Sequence, residues 1–482
     1  MKYLKIKDSK TVDDTGRTIK LRGVNIGGWL SMENWITGFP GYESTFKCSV
    51  SSVLGKDKAT FYFEKFLDYF LSEDDFRFMN SLGINLVRIS INYRNFVDNR
   101  LSRTYRKIGF NYFDRAIEQA KRNNIYVIIN LHAAPGWQNP RWHSDSTYRA
   151  NLLWYSEDAQ LKTIDIWEEM AKRYKDEPAV CGYGIINEPD APNQQALISF
   201  YERVISRIRK HDPQHIIVPM ANRYGQDPTG LEMLDDNNLL FEVHYYPLAG
   251  IVDTVYPGEV PILNGSEKLY YDENFLEKEF LSKAKPLIDK GKAIYAGEFG
   301  STFHNTSNDQ YRLKVNEDLF KIFDKYDAAW TMWTYKDIGL QSLVYVPPNS
   351  EYIKKFSDLL KLKENLGADD WGSKLPFIKN LSSHFMDSLK TELSKYSHSY
   401  VENVMNIEGE ILSDVHRFPY TYSEVVTTTL RFLISHYLSH EFAERFKGMS
   451  YDELDKIARS FNFDNCVKRE PLADLFSKFC IG

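Results

Sequence analysis

The sequence predicts a (β/α)8 TIM barrel with a C-terminal helical elaboration. Short β-rich runs alternate with longer helical patterns from residue 18 to about 335, and there are eight such runs. Strands that alternate with amphipathic helices imply a parallel sheet with helical crossovers, and eight of them suffice to close a barrel. In such a barrel the working groups stand at the C-terminal strand ends. Six of the eight runs end in polar or amphipathic aromatic side chains.

Segment 4–20 contains Asp13-Asp14-Thr15-Gly16 and reads as a hairpin ahead of the barrel. The expected strands are 20–25, 84–90, 125–132, 180–188, 215–222, 239–246, 293–298 and 328–335. The fourth ends at Glu188 because Pro189 has no N–H for a ladder and biases the preceding residue toward extended backbone. Residues 31–50 read as a long loop after the first strand. Helix 112–124 sets Phe113, Ile117 and Ala120 on one face, and helix 156–175 does the same with Leu161, Ile164, Trp167, Ala171 and Tyr174. Ser72–Asp75 and Ser156 read as helix starts. After Trp333 the pattern is helical without convincing strands: 343–372 reads as a loop with an embedded helix, and 375–482 as an elaboration of the last crossover. There is no linker composition, internal repeat or low-complexity tract. Residues 1–482 therefore read as one domain, with a barrel core at 18–340 and a loop insertion and helical elaboration at 341–482.

At 482 residues the chain suits a single large barrel, and a hydrophobic fraction of 43% supplies a sizeable core. The formal net charge of -6 is modest and the signs are mixed, which disfavours nucleic acid or an anionic membrane surface as partner. No stretch approaches the roughly 18 consecutive apolar residues of a transmembrane helix. The N-terminus M-K-Y-L-K-I-K-D-S-K lacks the apolar core of a secretory signal. The expected compartment is the cytoplasm, or the cell exterior if a leader has been removed. The four cysteines form no CxxC pair, so neither a zinc site nor a disulfide framework is expected. Sequons at Asn264, Asn305 and Asn380 matter only for a secreted chain. Aromatic residues reach 15%, which suits stacking on the C–H faces of sugars, although aromatics more often serve as core.

The strand ends supply Arg88, His132, Asn187 with Glu188, His244 with Tyr246, Glu298 and Trp333. Any one of these alone is more often a satisfied structural residue. Together they bring two carboxylates to one barrel mouth, and glycoside hydrolysis needs such a pair, one acid beside the leaving oxygen and one ionised group below the anomeric carbon. Glu188 follows an apolar run. Glu298, in A-G-E-F-G, is flanked by glycines, with Arg88 and Tyr246 as donors to keep it charged. Unequal surroundings would split the two pKa values.

Seven ordered stretches carry a resemblance: R-G-V-N-I-G-G-W-L-S-M-E-N-W-I (22–36), L-G-I-N-L-V-R-I-S-I (82–91), L-H-A-A-P-G-W-Q-N (131–139), I-I-N-E-P (185–189), V-H-Y-Y (243–246), G-E-F-G (297–300) and M-W-T-Y (332–335). Over about residues 1–340 the chain resembles glycoside hydrolase family 5 of clan A, nearest to its exo-β-1,3-glucanases and related β-glucosidases. The resemblance implies a single glycosidase domain in which Glu188 is the general acid/base and Glu298 the nucleophile. It implies that Asn187 binds the sugar 2-hydroxyl, Arg88 and Tyr246 hold the nucleophile, His132 and His244 line the subsite and Trp333 lies under the sugar ring. Glu33 would grip the non-reducing terminal sugar. Two departures concern specificity: P-R-W-H-S-D stands where the branch usually has a short glycine-rich loop carrying an aspartate, so Asp145 is one candidate for that contact, and the helical tail exceeds the usual ending.

The expected activity is a retaining β-glycosidase acting on β-glucans, β-1,3 favoured, or on β-glucosides, with a carbohydrate substrate as partner and no cofactor or metal. Loop 31–50, with Glu33, Trp35 and Phe39, would close one end of the cleft beside Arg141, Trp142 and Asp145, giving a pocket and exo action. An alternative is a β-glucosidase of glycolipids or aryl glycosides, with Tyr245, Trp142 and the tail helices as an apolar wall. A non-catalytic carbohydrate-binding barrel would be expected to lack one carboxylate. A metal-dependent hydrolase could use His132 and His244, but neither an HxH pair nor a carboxylate-bridged cluster is expected to complete a metal shell.

Overall fold

The computed structural model describes residues 1–97, 105, 107–261, 268–304, 306–368, 376–395 and 422–481. The sequons at Asn264 and Asn305, and residues 369–375 and 396–421 of the expected elaboration, lie outside the described residues. Eight parallel strands form the barrel: β1 (Arg22–Ile26), β2 (Leu86–Asn92), β3 (Tyr126–Ala133), β4 (Val180–Gly184), β5 (Ile216–Val218), β6 (Leu240–Tyr245), β7 (Ala293–Phe299) and β8 (Ala329–Met332). Their order in the sheet is β5-β4-β3-β2-β1-β8-β7-β6. Bridges between Ile217 and Leu239 and between Met220 and Glu242 join its two ends.

The strands are apolar on both faces because helices cover the outside while side chains fill the inside. Leu86, Ile128, Cys181, Ile216, Leu240, Tyr295 and Ala329, one from each of seven strands, pack together with Leu21 at the base of the barrel. Leu4 plugs this base from below, carried by the hairpin Leu4–Lys7 and Lys10–Asp13. That hairpin turns at Asp8 and Ser9, whose φ values are 49° and 61°. Asp13-Asp14-Thr15-Gly16 instead makes a second turn, in which Asp13 Oδ1 accepts from the backbone N–H groups of Thr15 (2.9 Å) and Arg17 (3.0 Å).

Helices begin where the capping signals stand. Ser72 forms a capping box with Asp75, and the Ser156 side chain accepts from Ala159 N–H. The two expected crossover helices are Lys107–Arg122 and Glu157–Tyr174. Three expectations fail. Strand β4 stops at Gly184, and Glu188 sits beyond it with φ 45°, in left-handed backbone rather than extended. Its N–H points at Met220 Sδ (2.9 Å) instead of joining a ladder. Residues 31–50 hold helix Asn34–Thr37 and most of helix Glu43–Leu54 rather than a loop. Past Trp333 there are strands after all: Lys336–Asp337, Val344–Tyr345 and Val467–Lys468 form a small sheet, each too short to show an alternating pattern.

The helices after the barrel pack onto helices inserted between β1 and β2. Phe356 stacks on Phe442 (4.0 Å), Phe46 meets Phe442 edge-on (5.8 Å) and Phe66 meets Phe461 (5.0 Å). Lys336, wholly buried, ties the layers together. Its ammonium reaches Asp75 Oδ1 (2.7 Å) and donates to the carbonyls of Phe70 (2.7 Å) and Phe461 (2.9 Å).

Truncating Lys336 strands a buried carboxylate, at a cost of about 3–5 kcal/mol. Lys336→Met should therefore lower the denaturation midpoint clearly, and adding Asp75→Asn should recover part of the loss, as urea unfolding followed by tryptophan fluorescence would record. A single-variant loss below about 1 kcal/mol would show that the pair does not hold the layers.

Candidate active site

Inward-facing residues recur every second position along a strand, and here they change character from base to mouth. Strand β2 runs Leu86, Arg88, Ser90; β3 runs Ile128, Asn130, His132; β6 runs Leu240, Glu242, His244, all buried. At the centre is Arg88. Its Nη1 donates to Glu298 Oε1 (2.8 Å) and Asn25 Oδ1 (2.9 Å), Nη2 to Asn187 Oδ1 (2.6 Å), and Nε lies 2.9 Å from Glu242 Oε1. Burial opposes its charge, but Glu242 and Glu298 outweigh burial and hold the proton more firmly than usual.

Glu298 closes this network from β7. Its Oε2 accepts from the Tyr246 hydroxyl (3.0 Å) and lies 3.5 Å from His244 Nδ1. Gly297 is required beside it: a Cβ there would come within 1.8 Å of Glu242 Oε1. Across the mouth, Glu188 Oε1 meets His244 Nδ1 (2.9 Å) and Oε2 lies 3.3 Å from His143 Nε2. Carboxylate oxygens of Glu188 and Glu298 and a ring nitrogen of His244 all lie within 4.8 Å of one another. That spacing suits direct attack by one carboxylate, since an inverting pair stands about 6.5–9.5 Å apart to admit a water.

The two carboxylates titrate differently, but in the order opposite to expectation. Burial raises Glu298, and the nearby Glu188 adds to this, against His244 and Arg88. Burial also works against the charge of Glu188, yet the facing imidazoles of His143 and His244 pull it low, to about 2. His143 is itself pushed down to about 4 by burial, so it lends that charge only in acid. His244 is raised to about 9, with burial opposing and Glu298, Glu188 and Glu242 prevailing. The resting proton thus belongs to His244, whose Nδ1 reaches toward both carboxylates.

Beside the pair opens a cavity of about 630 Å³ lined by Glu33, Trp35, His132, Asn187, Tyr246 and Trp333, among others. Trp333 lies parallel to the His132 ring (5.2 Å, 5°), and a Cβ on Gly27 would strike its indole at 2.6 Å. Glu33 Oε1 meets His132 Nε2 (2.8 Å), and Oε2 accepts from Trp35 Nε1 (2.9 Å). Burial pushes Glu33 up to about 7, although His143 and the Trp35 bond oppose this. All nine residues expected from the sequence therefore converge: Glu33, His132, Asn187, Glu188, Tyr246, Glu298 and Trp333 line the cavity, while Arg88 and His244 support it from beneath.

Other expectations do not hold. Asp145 is buried away from the cavity, where it accepts from Ser44 N–H (3.0 Å), Ser44 Oγ (2.7 Å) and Arg94 Nε (2.7 Å). Phe39 stacks on Phe46 in the core (4.5 Å). Tyr245 faces away and donates to Glu279 (3.0 Å), and none of the described tail residues lines the cavity. Arg141 and Trp142 do line it. The sequence reading missed His143 and Glu242. Glu242 was readable, since it precedes His244 by two positions on one strand and so shares its face. Glu188, His244 and Glu298 are close enough together to hold a cation, and in this structure the same atoms are engaged with Arg88, Tyr246 and one another.

Residues 51–339 match the family model for cellulase (glycosyl hydrolase family 5). The chain is 34% identical to a β-xylosidase of Phanerodontia chrysosporium over 98% of its own length and 97% of that protein. It is 31% identical to a probable glucan 1,3-β-glucosidase A of Aspergillus fumigatus over 66% of its length and 83% of the relative. Among solved structures, an endogalactoceramidase is similar in fold, with a TM-score of 0.51 at 17% identity over 70% of this chain and 75% of that one.

Glu33 yields a pH prediction. Its folded pKa of about 7 stands above the ordinary 4.5, so between these values the native state keeps a proton that the unfolded state has released. Stability contributed by this group therefore falls as pH rises through that window, by about 1.4 kcal/mol per unit. Glu33→Gln should match the wild type near pH 4 and exceed it by about 3 kcal/mol at pH 8. Parallel unfolding curves with no pH-dependent difference would contradict this.

Proposed function

This chain belongs to glycoside hydrolase family 5 and is a retaining hydrolase of β-linked glycans, and on that premise we propose that Glu188 is its acid/base and Glu298 its nucleophile. The observation that carries the assignment is the opposed pair within 4.8 Å, one member gripped by Arg88 and Tyr246 and the other flanked by imidazoles. In the first step Glu298 attacks the anomeric carbon, the bond to the leaving oxygen breaks, and Glu188 gives that oxygen a proton. In the second step Glu188 takes a proton from water, whose oxygen attacks the same carbon and expels Glu298. His244 Nδ1 stands between the two carboxylates, so the resting proton reaches Glu188 along a 2.9 Å hydrogen bond as Glu298 gives up its charge to the new ester. Asn187 Nδ2, buried and without an acceptor among the described residues, is a ready donor to a sugar 2-hydroxyl.

The catalytic pair divides the mouth. On the side of β8, β1 and β3 stand Trp333, Glu33, Trp35 and His132, a polar and aromatic bed for one terminal sugar. On the side of β5 and β6 stand Tyr224, Leu248, Ile251 and Val252, an apolar stretch beside the polar Asp253, Thr302 and His304. We infer an exo-acting β-glucosidase that holds one sugar in the polar half and prefers an apolar leaving group, as in a glycolipid or aryl glucoside. A second reading, exo-hydrolysis of β-1,3-glucan, is favoured by the relative named a probable glucan 1,3-β-glucosidase. The relative named a β-xylosidase makes the glycone a second variable to test.

Azide tests the roles. Glu298→Gly should yield the glycosyl azide of inverted configuration, whereas Glu188→Ala should yield the retained azide and lose about 10²–10⁴-fold on substrates with poor leaving groups. Identical stereochemistry from both would overturn the assignment. For the substrate, the turnover of glucosylceramide-type and alkyl glucosides should exceed that of laminari-oligosaccharides, and glucosides that of xylosides. Products from a long β-glucan should be monosaccharide from the start; a ladder of mixed oligosaccharides would refute exo action.

A further inference from the structure

We propose that Glu242 is a positioning residue that makes His244 the proton store of the catalytic pair, holding its ring doubly protonated at rest and keeping Nδ1 as the nitrogen that gives and recovers the proton, an inference that rests on Glu188 being the acid/base. Glu242 lies beneath the cavity, two residues before His244 on β6, so both side chains point into the barrel. Its Oε1 lies 3.1 Å from His244 Nε2 and 2.9 Å from Arg88 Nε, while Oε2 has no partner among the described residues. A wholly buried carboxylate is costly unless cations face it, and this one spends a single oxygen on two cationic side chains. It is placed for its charge.

The surroundings of His244 decide its protonation. Nε2 faces Glu242, and Nδ1 faces Glu188 Oε1 (2.9 Å) and Glu298 Oε2 (3.5 Å). A neutral imidazole has one N–H and one lone pair, and either tautomer would aim that lone pair at a carboxylate oxygen. Two N–H groups satisfy both sides. In the first step of the reaction the Nδ1–H bond breaks, its electron pair stays on the ring, and Glu188 takes the proton as it protonates the leaving oxygen. In the second step the proton that Glu188 takes from water returns to Nδ1. The Nε2–H stays with Glu242 throughout, so the neutral ring keeps its lone pair toward Glu188, where the proton comes back. The titratable and charged groups facing His244 are Glu188 after β4, Glu242 on β6, Glu298 on β7 and His132 on β3. Those facing Glu242 are His244, Arg88 on β2, Tyr295 on β7 and Tyr201 on the helix after β4. Burial keeps His132 uncharged above about 4 and pushes both phenols well above their usual range. On the alkaline side His244, at about 9, is the member of this group that gives up its proton first.

The test compares pH profiles of kcat/KM for the wild type, Glu242→Gln and Glu188→Ala on phenyl and 2,4-dinitrophenyl β-glucosides. Glutamine keeps the shape and an acceptor oxygen but not the charge. In Glu242→Gln the alkaline limb for the phenyl glucoside should move down by about one pH unit or more, a roughly tenfold loss on that limb, as expected when one facing charge is removed. The dinitrophenyl glucoside should lose far less, because its leaving group needs little protonation, whereas a limb set by Glu33 would act on both substrates alike. Equal losses on both substrates with the limb unmoved would reduce Glu242 to a structural part and overturn the proposal. If Glu188→Ala failed to discriminate between the leaving groups, the acid assignment would fall and the proposal with it. In the wild type, 15N shifts of labelled histidine, with His244 assigned by its loss in His244→Asn, should report both ring nitrogens protonated at pH 7. A neutral ring there would refute the proposal without any variant of Glu242.

Discussion

Everything in the mouth of this barrel hangs on one buried guanidinium. Arg88 is wholly removed from water, a placement that costs several kcal/mol unless its donors are met. They are met by Glu298, Asn25 and Asn187, with Glu242 beside them, so that β1, β2, β6, β7 and the segment after β4 all depend on the same side chain. The planar fork imposes the geometry, because each N–H points in a fixed direction and each partner must come to it. Positioning the nucleophile and closing the barrel's polar layer are therefore one act of packing. Below this layer the barrel is filled with aliphatic residues, Cys181 and Tyr295; above it stand polar and aromatic side chains such as His132, His244, Glu298 and Trp333.

The charge pattern around the two carboxylates is asymmetric for a reason visible in the strands. Glu298 is met from beneath by Arg88 and at the side by Tyr246, and it shares His244 with Glu188. Glu188 stands beyond the end of its strand, and among the described residues its carboxylate bonds to imidazoles, from β6 and from the loop after β3. An imidazolium gives up its proton more readily than a guanidinium or a phenol, and the carboxylate that must gain and lose a proton each turnover is the one hydrogen-bonded to His244.

The sequence disclosed the barrel because eight parallel strands, buried on both faces, leave near-continuous apolar runs with helical spacing between them. It disclosed the site because the C-terminal halves of strands are where such a fold exposes polar groups, and Arg88, His132, His244 and Glu298 each interrupt or end an apolar run. What it concealed was what tertiary structure decides. Glu188 follows an apolar run and precedes a proline, yet its backbone is left-handed and outside the ladder, since its N–H is turned toward Met220. Tyr245 and Tyr246 are adjacent and equally aromatic, and only the phase of β6 sends one outward and the other into the cavity. Asp145 and His143 share one short loop. Which of them reaches the catalytic pair depended on Ser44 and Arg94, residues far away in sequence that claim Asp145 for themselves.

The way the chain returns to its own beginning bears on how the enzyme comes into being. Arg22, at the start of β1, donates to the carbonyl of Phe479, and Lys336, three residues past Trp333, takes an acceptor from Phe461. Arg469 bonds to the carbonyls of Ser342 (3.1 Å) and Gly339 (3.0 Å) and covers the Phe303 ring (4.2 Å), so the loops after β7 and β8 also take a partner from a residue synthesised much later. Contacts of such sequence separation form slowly, and a ribosome releases the N-terminal part first. While residues 461–479 are still inside the ribosome, Phe66, Phe70 and the ammonium of Lys336 lack their covers, and the finished barrel strands cannot settle the loops that carry Trp333. The covers of this aromatic layer thus come from residues made well after the barrel strands they protect.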